Sequence, residues 1–280
     1  MKIIVLSDNR SISSELETEH GLSIYLETAR YKCLLDTGAS DLFIRNAEKL
    51  NIDLSAVDYV FISHGHADHI GGLSYFLEIN SRAKVILSSK ALTQKFFSQR
   101  NGMHQISVET DFTKHYDRFI FVDNELTLED DIHIFTNTSN MYAKPIGNSN
   151  LYKENATGEL IPDDFNHELI LTAGTDKLFV FTGCAHRGLL NILQTVKEKS
   201  AVPIRCVMGG FHLLDTKNGN VYENETQIAE ITKILNNKYP LTDFITGHCT
   251  GEKVYEQLKI NMEFRLIHFF CGYKIEFDGC

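Results

Sequence analysis

The stretch Asp58-Tyr-Val-Phe-Ile-Ser-His-Gly-His-Ala-Asp-His-Ile-Gly-Gly-Leu73 constrains this chain more than any other. Tyr59–Ser63 reads as an apolar strand, and it runs straight into His64, His66, Asp68 and His69. That spacing suits two metal ions. His64 and His66, one glycine apart, can face the same side as the strand frays into a loop. Asp68 and His69 then leave the first turn of a helix that starts near Asp68, toward a second ion. Gly71 and Gly72 remove side-chain bulk where that helix must sit close to the site. Imidazole and carboxylate together favour zinc, iron or manganese over calcium or magnesium.

The rest of the chain is organised in short apolar, β-branched runs bounded by Gly, Asp and Asn, which is a strand signature. Strands are expected at Lys2–Ser7, Leu22–Thr28, Lys32–Asp36, Lys84–Ser88, Phe119–Val122 and Ile132–Thr136. A second series follows at Glu168–Thr172, Leu178–Thr182, Ile204–Met208, Asp243–Thr246 and Phe264–Phe270. Apolar residues at helical spacing mark Asp41–Leu50, Leu189–Lys199, Glu225–Asn236 and the shorter Val254–Leu258. Strand clusters separated by helices in each half imply an α/β chain, with two packed sheets covered by helices outside. No linker divides residues 1–280, so a single domain is expected. The one long irregular stretch, Asn137–Asn166, reads as a lid or an embellishment.

Three later strands share one construction, an apolar run, then glycine, then histidine: Gly183-Cys184-Ala-His186, Gly-Gly-Phe-His212 and Gly247-His248-Cys249. The first cluster alone cannot complete two metal spheres, so His186 and His248 are candidate ligands. His212 is a candidate ligand or a proton donor to substrate. Cys184 is either a thiolate ligand or a small buried residue. His167 is a weaker candidate, and His20, His104, His115, His133 and His268 have no supporting context. The turn Asp36-Thr37-Gly38 on its own would suit an aspartic protease, but only one copy is present. Its better reading is a carboxylate that orients a metal-bound imidazole.

Composition narrows the partners. The formal charge of −10 argues against a sequence-independent nucleic-acid binder, which needs basic residues over phosphates. No stretch approaches the ~20 apolar residues of a membrane helix, and the apolar N-terminal run is too short for a secretory signal. Six scattered cysteines without a CxxC pattern are no disulfide framework, so a reducing cytoplasm is the default. Lys144 and Lys153, in the irregular stretch, could receive an anionic small-molecule substrate, although solvated lysines are the commoner case.

His64-x-His66-x-Asp68-His69 after an apolar strand, with Asp36-Thr-Gly upstream, resembles the metallo-β-lactamase superfamily. Adding Thr-Gly-Cys-Ala-His186, Gly-Gly-Phe-His212-Leu and Gly-His248-Cys-Thr-Gly, the chain resembles a subgroup labelled dihydropterin ribofuranosyl-aminobenzene-phosphate synthase-like. The resemblance spans roughly Ile3 to Phe277. It implies a four-layer αββα sandwich of two mixed sheets, with a dinuclear metal site at one edge. There are two departures. The third-motif His of the superfamily has only His167 near it, and the Asp that commonly bridges the two metals falls at Cys184.

The expected activity is that of a metal-dependent hydrolase. A metal-bound hydroxide would attack an ester-like or phosphoester small molecule. The expected first ion takes His64, His66 and His186, and the second takes Asp68, His69 and His248. Asp68 also orients the nucleophile and His212 protonates the leaving group or holds a phosphate. The ions are expected to be two divalent metals, zinc ahead of iron or manganese. A pterin-related synthase or an iron-dependent redox protein on the same scaffold is the alternative.

Overall fold

Strands form where backbone buried on both faces reads as near-continuous Val, Ile, Leu and Phe, and those runs dominate the computed structural model of the chain. It describes residues 1–128, 131–216, 220–262 and 265–277. In chain order come β1 (Lys2–Ser7), β2 (Ser23–Glu27), β3 (Lys32–Leu35), helix α1 (Leu42–Lys49), β4 (Tyr59–Phe61), α2 (Ala67–Ile70), α3 (Leu73–Ile79) and β5 (Lys84–Leu87). Then follow α4 (Lys90–Thr93), β6 (Phe96–Ser98), β7 (His104–Gln105), β8 (Phe119–Phe121), β9 (Glu125–Leu128) and β10 (Ile132–Thr136). The second half adds β11 (Leu151–Glu154), β12 (Leu160–Pro162), β13 (Leu169–Ala173), β14 (Leu178–Phe181), α5 (Leu189–Lys199) and β15 (Ile204–Met208). Last come α6 (Glu225–Lys238), β16 (Asp243–Thr246), α7 (Glu252–Met262), β17 (Leu266–His268) and β18 (Lys274–Glu276).

Two seven-stranded sheets form, in the orders β18-β1-β2-β3-β4-β5-β8 and β17-β16-β15-β14-β13-β10-β9. Both are mixed. In the first, β18 through β3 pair antiparallel and β3, β4, β5 and β8 pair parallel. In the second, β9, β10, β13 and β14 are antiparallel and β14 to β17 are parallel. The alternation of side chains along β1 sorts the core. Ile3 and Val5 join Leu35, Phe61, Leu171, Phe179, Met208 and Ile245 between the sheets, whereas Ile4 and Leu6 face Phe43, Phe76 and Leu77 of α1 and α3. On the far side, Val180, Val207 and Phe244 pack under Leu193, Val196, Ile228, Leu235 and Leu258 of α5, α6 and α7. The order helix, sheet, sheet, helix is therefore the αββα sandwich expected from the sequence. Truncating a fully buried anchor of this kind, such as Leu193, costs about 2–5 kcal/mol.

Local chemistry sets the helix ends. Asn224 caps α6 through Gln227 N, and the Gln227 side chain returns the bond to Asn224 N, so two orphan donors are satisfied. Gly72 is required by a close approach. A Cβ there would stand 2.1 Å from Thr37 O, so the glycine lets the α2–α3 junction rest on the Asp36–Ser40 turn.

Several elements differ from the sequence expectations. The stretch 137–166 is not structureless: β11 and β12 lie in it, and with β6 and β7 they make a third sheet ordered β12-β11-β6-β7. Its Asn, Gly, Lys and Glu content hid strands whose existence depends on pairing with Phe96–Ser98. Helix α3 and strands β9 and β18 were likewise not expected, being short and half polar. The last expected strand is described as Leu266–His268, and Phe264 and Cys280 lie outside the described residues. Among the described residues no helix is long and apolar enough to cross a membrane.

Parallel strands leave their carboxyl ends together at one sheet edge, where loops can build a site. Here β3 and β4 of one sheet and β14, β15 and β16 of the other deliver Asp36, His64, Cys184, His212 and His248 to the same edge.

Candidate metal centre

Asp36 organises the edge. Its carboxylate accepts from Ser63 N (2.7 Å), Ser63 Oγ (2.7 Å) and His69 Nδ1 (2.7 Å), and its backbone is held at φ 57°. Because the Ser63 hydroxyl spends its one hydrogen on Asp36, it can only accept from His64 Nδ1, at 2.9 Å. The network thus assigns protons to Nδ1 of both His64 and His69, leaving each Nε2 as a lone pair aimed at the pocket.

One group of donors is all imidazole. Ligand atoms of His64, His66 and His186 lie within 4.8 Å of one another, with all three residues buried. His64 Nε2 stands 3.1 Å from His66 Nδ1. The His186 ring stacks on Phe165 at 4.4 Å, and its Nδ1 donates to Asn148 Oδ1 at 3.1 Å. Nε2 of His66 and of His186 is buried without a hydrogen-bond partner. Burial first, then the crowd of neighbouring rings, pushes His64 and His186 well below the ordinary histidine range. Neutral rings keep their lone pairs for a cation.

The other group is mixed. His69 Nε2 lies 3.1 Å from both His248 Nε2 and Cys184 Sγ, and Asp68 Oδ2 lies 3.3 Å from His248 Nε2 and 3.6 Å from His69 Nε2. His248 sits at φ 53°, its N–H bonded to Asp8 Oδ1 and its carbonyl to Asn9 Nδ2, both at 2.9 Å. Burial alone would lower its pKa, but the Asp68 hydrogen bond and surrounding negative groups outweigh that and carry it to about 9. For Asp68, burial acts upward, yet His69 and His248 bring the carboxyl well below its usual range.

His64, His66, Asp68, His69, Cys184, His186, His212 and His248 are therefore brought together at one sheet edge, and both expected triads are close-packed. His212 joins them with a different polarity. Arg100 Nη2 approaches its Nε2 at 2.7 Å, and a guanidinium has no acceptor, so the His212 proton belongs on Nδ1. That Nδ1 is buried without a partner. His167, the weaker candidate, has no lone pair left. Its Nδ1 accepts from Gly65 N (3.0 Å), and its Nε2 donates to Asp163 (3.1 Å).

Two sequence readings need correction. His20 is not an ordinary histidine: its Nε2 is 3.3 Å from Asp68 Oδ2 and its ring stacks on His248 at 5.2 Å. Lys153 is neither a solvated lysine nor available to a substrate, because it is buried and bonded to Asp164 at 2.7 Å. Its alternation on β11 turns it inward, which composition could not reveal. Lys144 is exposed.

The pocket itself is a cavity of about 350 Å³. His66, Asp68, Cys184, His186, His212 and Cys249 line its floor, and Arg100, Asn101 and His104 of the small third sheet and its connecting turn border it. Converging lone pairs, orphaned buried nitrogens, a carboxylate and thiols fit a divalent transition ion.

The solved structure of Tm1679, a metal-dependent hydrolase of the beta-lactamase superfamily, matches with a TM-score of 0.81 and 31% identity over 99% of both chains. This chain belongs to the metallo-β-lactamase superfamily. The superfamily's sequence pattern matches residues 17–135, which hold Asp36 and the cluster from His64 to His69. Two proteins of Methanocaldococcus jannaschii are similar over nearly the whole chain. Uncharacterized protein MJ0448 is 27% identical over 259 residues, 91% of this chain and 93% of that one. A protein named 7,8-dihydropterin-6-methyl-4-(beta-D-ribofuranosyl)-aminobenzene-5'-phosphate synthase is 28% identical over 273 residues, 90% of this chain and 88% of that one.

Around this metallo-β-lactamase site stand residues that sequence reasoning passed over. Glu168 takes His186 N (2.7 Å) and Arg187 N (2.8 Å) on its two oxygens, tying down the loop that carries His186. Asn148 and Arg100 fix ring orientation from the third sheet and the turn beside it, and no motif announces them. Cys249, next to His248, was visible in the motif but was assigned no role.

Proposed function

We propose that this chain is a metal-dependent hydrolase that cleaves an ester-like or phosphoester bond in a small molecule. In this reading His64, His66 and His186 hold one divalent ion and Asp68, His69 and His248 a second, with zinc ahead of iron or manganese. The observation that carries it is the convergence, in one cavity, of buried histidine nitrogens that have no hydrogen-bond partner on the protein. When bound, such ions supply Lewis acidity and make hydroxide available near neutral pH.

The chain's own residues do the rest. Asp36 holds the His69 proton on Nδ1, so Nε2 faces the pocket, and it steers His64 through Ser63. Asn148 does the same for His186. The partly exposed Asp68 carboxylate can accept a hydrogen bond from the attacking water and orient it. Arg100 keeps the His212 proton on Nδ1, poised for donation to a leaving oxygen. The apolar layer shared by both sheets supports treating residues 1–280 as one domain. The free, buried cysteines Cys33, Cys184, Cys206, Cys249 and Cys271 suit a reducing cytoplasm.

The test is turnover by metal-loaded protein on a panel of phosphodiesters, lactones and thioesters, with His66→Ala as the control. Hydrolysis lost in His66→Ala is the expected result. Bound metal with no turnover on any member overturns the reading. The name of the 28% identical archaeal relative carries the second reading, a pterin-related synthase on the same scaffold.

A further inference from the structure

We propose that Cys184 and Cys249 are sulfur ligands of the ions in this centre, with Cys184 shared between the two donor groups. The inference rests on the reading that the pocket holds metal.

Its first support is the place of the Cys184 sulfur. Cys184 Sγ falls within 4.8 Å of the ligand atoms of His64 and His69, of His186 and His212, and of His248 and Cys249. It thus stands between the imidazole group and the mixed group, at the end of β14, where either ion would meet it. A plain thiol could donate its one hydrogen to His69 Nε2 at 3.1 Å. The same Nε2 faces His248 Nε2 at 3.1 Å, and Asp68 Oδ2 lies 3.3 Å from His248 Nε2, so sulfur, two imidazoles and a carboxylate meet around one point. Such a meeting of ligand atoms from separate strand ends is the arrangement a bound cation takes.

Cys249 has independent support in the backbone. A Cβ on Gly210 would stand 2.3 Å from Cys249 Sγ, so the Gly209-Gly210-Phe211-His212 loop is shaped around this sulfur. The left-handed turn at His248, held from both sides by Asp8 and Asn9, sends two consecutive side chains into the same pocket. A ligand purpose accounts for such a costly backbone conformation at a non-glycine residue. The other described cysteines serve as the contrast. Cys33 and Cys206 are packed in the apolar layer between the sheets, and Cys271 Sγ donates to Leu6 O at 3.2 Å, a closer bond than the 3.8 Å from Cys249 Sγ to Cys184 O. None of those three lines the cavity.

Each thiol would release its proton to solvent on binding. Two thiolates add soft donors and negative charge, so the centre would favour zinc, iron or cobalt over manganese or magnesium.

The test is zinc-edge X-ray absorption on the zinc-loaded full chain, with zinc counted by mass spectrometry. With two zincs bound, about 1.5 sulfurs per zinc at ~2.3 Å are expected, falling to about 1 in Cys249→Ser and about 0.5 in Cys184→Asp. The cobalt-loaded protein should carry a near-ultraviolet sulfur-to-cobalt charge-transfer band that weakens in the same order. The wild-type spectrum decides by itself, so a variant that fails to fold cannot mask the answer. Two zincs with only nitrogen and oxygen neighbours overturn the thiolate assignment and leave the hydrolase reading standing. A folded chain that takes up none of zinc, iron, cobalt or manganese overturns both.

Discussion

The imidazole group and the mixed group sit a few ångströms apart, yet they are supported in opposite ways. His64, His66 and His186 are buried rings, walled by Phe96 and Phe165 and backed by the His167–Asp163 pair. His69 and His248 share their group with the Asp68 carboxylate, two thiols and the exposed His20. A dication held by imidazoles and one shared sulfur would keep more of its charge and polarise an incoming oxygen more strongly. One beside a carboxylate is partly neutralised and binds water more gently. The geometry therefore suggests a division of labour between a polarising side and a water-orienting side.

Asp36 is where the two sides meet, and its removal should be felt most widely. Asp36→Asn leaves His69 free to flip its tautomer and releases Ser63 from His64, so metal affinity should fall by about 10–100-fold in both groups. Metal titration read by isothermal calorimetry checks this. Loss confined to one ion would mean that Ser63 does not transmit the orientation. Asn148→Ala touches only the imidazole group through His186 Nδ1, and a loss of about 10-fold at a single site is expected. Equal weakening of both ions in the same titration would erase the distinction between the groups.

A pH-dependent effect lies behind the site. Burial pushes the Glu168 carboxyl from 4.5 up to about 7, despite two backbone N–H donors that act the other way. The folded protein then holds this proton over a pH range where the unfolded chain has released it. Its contribution to stability is complete below pH 4.5 and lost as pH rises through about 7. A change of order 2–3 kcal/mol is expected across that window, and Glu168→Gln should flatten it in metal-free denaturant melts. An unchanged slope in Glu168→Gln would show that the carboxylate is already ionised in the fold.

Legibility from sequence followed contact range. The strands, α5 and the motif residues from Asp36 to His248 could be read because each signal is local: an apolar run, a helical period, or a histidine just past a strand. Asn148, Arg100 and Asp163 could not, because their roles come from partners far along the chain and their types are ordinary in loops. The third sheet was missed for the same reason, since β11 and β6 make a strand only by meeting each other. Lys153 shows the converse: a charged residue in a polar stretch was read as surface and lies buried against Asp164.

The amino-acid order alone determined the four-layer architecture and most of the candidate ligand side chains, since burial pattern and residue chemistry are written position by position. Only the tertiary structure decided which nitrogen of each ring faces the pocket, which carboxylate holds it there, and that two cysteines 65 positions apart line it together. Orientation is a property of hydrogen bonds between distant strand ends, and those bonds exist only once the two sheets have packed.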